Sequence, residues 1–205
     1  MDETTVKTRT GLILEGCVAA ALRRTKYRQF DATPKYGKES MTPDFLIPNE
    51  KSPKYFIEVT QTEIRDSFRM KTLRYFESVC NAKAHFGNDV ISVNILMGDP
   101  FSELPANNIQ VMYAFFDVNL NPRSDARSVK TRRLLSDLEA EVLHLARDES
   151  IATTEKAISG VVASHSSAID DLAILIGTTL DSARTKPLLD NLWNFERNTD
   201  IFEYS

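Results

Sequence analysis

Two carboxylates stand in runs of residues that otherwise belong in a hydrophobic sheet. Glu58 interrupts Tyr55-Phe56-Ile57-Glu58-Val59-Thr60, a strand pattern of aromatic and β-branched residues. An acid there costs free energy unless it is paired or bound to a cation. Asp44 opens a shorter run, Asp44-Phe45-Leu46-Ile47, separated from the first by the turn Pro48-Asn49-Glu50-Lys51-Ser52-Pro53. If the two runs pair as a hairpin, Asp44 and Glu58 project to one face near one end. Glu58 and Thr60 share a face because they are two apart on a strand, and the Val59 carbonyl lies between them. Converging carboxylate and carbonyl oxygens are what Mg²⁺ takes as ligands. A bound Mg²⁺ in turn neutralises a phosphodiester and activates water for its hydrolysis. The plain alternative for Glu58 is an edge-strand charge paired with a lysine such as Lys54. A third acid, Glu15, sits in the apolar stretch Gly11-Leu12-Ile13-Leu14-Glu15-Gly16-Cys17 and also needs a partner, unless it is simply an exposed helix position.

The elements that must position these residues are readable from periodicity. Apolar residues at helical spacing (Leu12, Leu14, Val18, Ala21, Leu22) predict a helix from Thr5 to about Arg24, weakened by Gly11 and Gly16. Residues 28–49 hold turn signals at Thr33-Pro34 and Tyr36-Gly37, as for a short hairpin region leading into the Asp44 strand. Thr62 is a plausible N-cap for a long helix from about Glu63 to His85, with Ile64, Phe68, Phe76 and Val79 on its buried face. Val90 to Leu96 is nearly continuously apolar, as for a central strand covered on both faces, and Ile109 to Val118 repeats the pattern. This order of helices and strands is an α/β core. After Pro122 the chain reads as helical: Leu134–Arg147 is amphipathic, Ala168–Leu180 strongly apolar, and Pro187–Phe195 carries Trp193. The division expected is a core over 1–122 and a helical region over 123–205. Val142, Leu143, Ile169, Leu172, Ile174, Leu175 and Ile176 read as helix-bundle core or dimer contact.

The chain has 205 residues with 42% hydrophobic and 26% charged residues, ordinary values for a globular protein of this size. No segment approaches the roughly 18 apolar residues of a membrane span, and the acidic start lacks a signal-peptide layout. The expectation is a cytoplasmic protein with reduced thiols at Cys17 and Cys80. No CxxC pair or Cys/His cluster suggests zinc. Ser164-His165-Ser166 has no triad partner pattern, and no phosphate-binding glycine motif is present. The net charge of -4 is unevenly spread. Residues 1–133 hold 20 basic and 16 acidic side chains, a balance of +4, whereas 134–205 hold 5 and 13, a balance of -8. Such asymmetry hints at a polyanion partner for the first half, or at no more than a solvated acidic helical surface in the second.

The Pro43-Asp44 pair opening one strand, a turn, the Glu58-Val59-Thr60 strand and then a helix resemble the PD-(D/E)XK nuclease superfamily, over roughly residues 5–120. The stretch Glu58-Val59-Thr60-Gln61-Thr62, entering a helix with Arg65, Arg69 and Lys71, looks most like type II restriction endonucleases. The resemblance implies a restriction-endonuclease-like mixed sheet flanked by helices. It implies a Mg²⁺ site at Asp44 and Glu58, with Glu15 and the Val59 carbonyl as additional ligands, and hydrolysis of double-stranded DNA. The family lysine that assists the attacking water is Thr60 here. Thr60 donates a hydrogen bond without charge, so Lys71 on the following helix becomes the candidate replacement, unless it is a solvated helix residue. Phosphate contacts are expected from Arg23, Arg24, Lys26, Arg28, Lys35, Lys38, Arg65 and Arg69, and from Arg127, Lys130 and Arg132 in the basic stretch 123–133. These charges otherwise read as ordinary loop and helix surface. A homodimer is the default for two-fold DNA sites. Phe202-Glu203-Tyr204-Ser205 show no terminating feature, which leaves room for a longer chain with a recognition domain. The rival readings are a repair-type or RNA-processing nuclease, a non-catalytic DNA-binding or assembly module that lost the lysine, and a helical interaction protein with an unrelated α/β domain.

Overall fold

The apolar stripe of the first segment becomes helix α1, Glu3–Arg23, close to the predicted span. Ile13, Leu14, Cys17, Val18, Ala21 and Leu22 are fully buried on it. Thr25 ends the helix: its hydroxyl donates to the Leu22 carbonyl at 2.8 Å and accepts the Tyr27 amide at 2.9 Å. That turn diverts the chain toward the sheet. The computed structural model describes residues 3–32, 43–61, 90–97, 109–113, 126–151 and 153–182.

The described strands are β1 (Asp31–Ala32), β2 (Phe45–Ile47), β3 (Tyr55–Gln61), β4 (Ile91–Met97) and β5 (Ile109–Tyr113). They form one mixed sheet in the order β1-β2-β3-β4-β5. All neighbours are antiparallel except β3 and β4, which run parallel from Tyr55↔Ile91 to Gln61↔Met97. The β2–β3 connection is the expected turn. Asn49 Oδ1 accepts the amides of Lys51 and Ser52, each at 3.1 Å, and Asp31 Oδ2 accepts the Glu50 amide at 2.8 Å.

Helices α2 (Ala126–Arg147), α3 (Thr154–Ser164) and α4 (Ser166–Ser182) follow. The first begins at Ala126 and so takes in Arg127, Lys130 and Arg132, which the sequence places in a basic stretch ahead of the amphipathic segment. Thr153 caps α3 by accepting the Lys156 amide at 3.3 Å. One face of the sheet, carrying Phe45, Ile47, Tyr55, Ile57, Val59, Ile91, Val93 and Ile95, packs into a single buried cluster with α1, α2, α3 and α4. Val142, Ile169, Leu172 and Ile176 are therefore interior, while Ile174 is 51% exposed. Leu46 and Phe56 are equally buried but alternate to the other face. The helices expected over Glu63–His85 and Pro187–Phe195, and the end of the strand expected to reach Val118, lie outside the described residues. Among the described residues no helix is long and apolar enough to cross a membrane.

Candidate functional site

Register brings the two strand carboxylates together. β2 and β3 pair Phe45↔Ile57, Leu46↔Phe56 and Ile47↔Tyr55. One step further along the same ladder sets Asp44 across from Glu58. Ile57 and Val59 face the helices, so alternation turns Glu58 to the opposite face.

Asp44 is buried at 5% exposure. Its amide donates to the Ile57 carbonyl at 3.0 Å, and its Oδ2 accepts the Val59 amide at 2.6 Å. The physical reason lies in the unequal lengths of the strands. β3 continues beyond the start of β2, so the Val59 N–H has no β2 backbone acceptor. The Asp44 carboxylate takes that place, through a charge-assisted bond shorter than an ordinary amide–carbonyl one. A carboxylate offers about four acceptor positions, so one amide does not exhaust it. Asp44 and its amide thus bracket Glu58 from both sides, at Ile57 and at Val59.

Glu58 is half-buried, with its Oε2 withdrawn from solvent. It is not an edge-strand charge, because β3 is the middle strand of the sheet. Lys54 is exposed and lies over the Tyr55 ring, 5.2 Å from its centroid. Four positions along a strand separate it from Glu58, about 13 Å at strand rise. Thr60 follows in β3 at the position paired with Leu96.

Glu15 is half-buried on α1, its carboxylate turned back toward Gly11 one helical turn earlier, as helix side chains lean. It belongs to the helix layer on the face that carries Ile57 and Val59, whereas Glu58 turns to the other. Among the described residues no three Asp, Glu, His or Cys side chains gather into a metal-sized cluster. The strand register sets Asp44 beside Glu58, and Glu15 is carried by α1. Two carboxylates with hard oxygen donors suit a cation that completes its shell with carbonyls and water.

The basic residues divide. Arg23 and Arg28 are exposed, the former over the Phe30 ring at 5.7 Å. Arg24 and Lys26 are held by α4, in ion pairs with Asp170 and Asp181. Arg127, Lys130 and Arg132 lie in α2. Lys35, Lys38, Arg65, Arg69 and Lys71 lie outside the described residues.

Sequence reasoning missed the residues that lock the helices onto the sheet. The Tyr27 hydroxyl donates to Asp181 Oδ1 at 2.5 Å, and its ring meets Tyr55 edge-on at 5.4 Å. Burial and the Asp181 bond push the Tyr27 phenol well above its usual range. The Tyr55 hydroxyl donates to the Leu180 carbonyl at 3.0 Å. The signal available was a pair of tyrosines beside charged residues, which gives no hint of partners more than a hundred positions away.

Comparison of the chain with models of protein families, with curated proteins and with solved structures finds no match in any of the three.

Proposed function

We propose that this chain is a Mg²⁺-dependent endodeoxyribonuclease of the PD-(D/E)XK type, acting on double-stranded DNA as a restriction endonuclease. The observation that carries the reading is Asp44: buried, opening β2, and held against β3 on either side of Glu58. The element order supports it, since α1, an antiparallel β1-β2-β3 and a parallel β4 are compatible with a restriction-endonuclease-like core. Asp44 and Glu58 would hold the cation, with the Val59 carbonyl as a further oxygen. When bound, Mg²⁺ supplies charge neutralisation at the phosphate and a more acidic water. Thr60 or Lys71 would orient that water, and Glu15 would support the metal site. A homodimer matches the two-fold symmetry usual for such DNA sites.

One observation favours a second reading. An aspartate that accepts the orphan amide of a longer strand has a structural reason to exist, and the family lysine is replaced by Thr60. A non-catalytic DNA-binding module would keep the first feature and tolerate the second. Incubation of plasmid and phage DNA with Mg²⁺ and wild-type protein, Asp44→Ala or Glu58→Ala separates the two. Discrete fragments from wild type and none from the variants are the expected outcome. Unspecific degradation that both variants lose would move the role toward repair. Cleavage by both variants would remove these carboxylates from the site. Mg²⁺-independent DNA binding without cleavage by any form would favour the non-catalytic module.

A further inference from the structure

The end of α1 and the loop after it carry four cations within six positions, Arg23, Arg24, Lys26 and Arg28. The helix beneath it, α4, contains Asp170, Asp171 and Asp181 and no lysine or arginine. Arg24 Nη1 meets Asp170 Oδ1 at 2.8 Å, and also donates to the Ser166 carbonyl at 2.8 Å and the Ser166 hydroxyl at 3.2 Å. Lys26 Nζ lies 2.5 Å from Asp181 Oδ1, the same oxygen that accepts the Tyr27 hydroxyl. The two aspartates are eleven positions apart, about 16 Å along the helix axis. Thr25 lies between them over Gly177, where an added Cβ would be 3.8 Å from the Thr25 methyl. An open cavity of about 500 Å³ runs between the pairs, floored by Ala173 and Ile174. All four charged groups keep contact with water, the side chains being 29% exposed for Arg24, 61% for Asp170, 67% for Lys26 and 49% for Asp181. Ion pairs this open are weak, are screened by salt and exchange partners readily.

We propose that Asp170 and Asp181 are internal stand-ins for phosphate, which hold Arg24 and Lys26 on α4 until a nucleic acid backbone takes them over. The loop is then a self-masked surface for binding a polyanion. Duplex DNA must displace two carboxylates to engage its middle cations, which lowers affinity for any DNA whose remaining contacts are poor. The identity of the polyanion rests on the nuclease reading; the masking itself does not. Electrostatic exchange of this kind is independent of base sequence.

The test compares full-length wild type with Asp170→Asn/Asp181→Asn and with a charge-matched control, Asp137→Asn/Asp171→Asn, whose carboxylates make neither ion pair. Each binds a labelled duplex of arbitrary sequence in EDTA across a salt series, and each is eluted from heparin. The unmasked variant is expected to bind the duplex on the order of tenfold more tightly at low salt, with a salt slope steeper by up to about 1.8, at about 0.9 per phosphate contact. The control gains less, and adding Arg24→Ala and Lys26→Ala to the unmasked variant removes the gain. Equal gains in the two double variants, or a gain that survives loss of Arg24 and Lys26, overturn the proposal. The same pattern on heparin with no duplex binding by any form keeps the mask and rejects DNA as the partner.

Discussion

At the scale of single residues, Asp44 has one role in the fold and, on the proposed reading, a second at a cation. Its carboxylate fills the acceptor position that β2 leaves open at Val59, and it stands beside Glu58 where a cation would need it. Asp44→Ala strands a buried amide, which costs about 1–3 kcal/mol. Asp44→Asn still offers a carbonyl oxygen to Val59 but loses the charge a cation requires. Urea unfolding is therefore expected to show most of that loss in the alanine variant and little in the asparagine variant, while both lose at least about a hundredfold in cleavage rate, the order expected when a metal ligand goes. An asparagine variant that cuts at the wild-type rate would leave Asp44 as a strand cap alone. Cys17 shows the opposite case, a group that burial makes inert. Withdrawal from water pushes its thiol up from 9.0 to about 12. The folded chain then holds the proton where an unfolded chain releases it. The linked stability is complete below pH 9 and drains away as pH rises from there toward 12. Alkylation with iodoacetamide at pH 8, followed by peptide mapping, should leave Cys17 unlabelled in the native protein and labelled in urea. Rapid native labelling would contradict the burial.

At the scale of elements, what was legible depended on whether the signal was local. β2, the turn after it and β3 could be read from Phe45-Leu46-Ile47, the Pro48–Pro53 turn and Tyr55-Phe56-Ile57, because local propensity and the core agree there. Asp44 and Glu58 could be singled out for the same reason: an acid stands out against an apolar strand. Their juxtaposition needed only the hairpin. Gly16 could not be read. In the sequence it weakens a helix, but in the fold it is where α1 and α3 cross, and a Cβ there would stand 2.5 Å from Ile158 Cδ1. Gly16→Val is expected to destabilise by about 1–3 kcal/mol through overpacking, measured by chemical denaturation, with Ile158→Ala restoring part of the loss in the double variant. An unchanged midpoint in Gly16→Val would mean the helices do not cross there. Arg9 makes a second join invisible to pattern. The residue is 9% exposed, and its guanidinium donates to the Asp148 and Ile151 carbonyls, both at 3.0 Å, which fastens the α2–α3 turn to α1.

At the scale of the molecule, the charge asymmetry and the division near residue 122 take on a physical meaning. Among the described residues, acids of the second half meet bases of the first: Asp170 and Asp181 pair with Arg24 and Lys26, and Tyr27 and Tyr55 bond to the end of α4. No local pattern announces ion pairs across 146 positions, and composition registers only their imbalance. The helices that read as dimer contact or bundle core cover the face of the sheet that carries Ile57 and Val59. Seven large apolar side chains of α2–α4 are buried there: Leu138, Val142, Val161, Ile169, Leu172, Ile176 and Leu180. At about 1.5–3 kcal/mol each, their burial contributes on the order of 10–20 kcal/mol. A whole domain is stable by only about 5–15 kcal/mol. A chain cut after residue 122 would also expose the sheet and α1 surfaces these helices cover. It should therefore fail to fold on its own, with no cooperative thermal transition and with strong binding of a hydrophobic dye. Adding residues 123–205 as a separate peptide should restore a transition if the two parts meet as they do here. A sharp, native-like transition from residues 1–122 alone would show that the helices are an appendage, and would return the carboxylate pair to a core complete in itself.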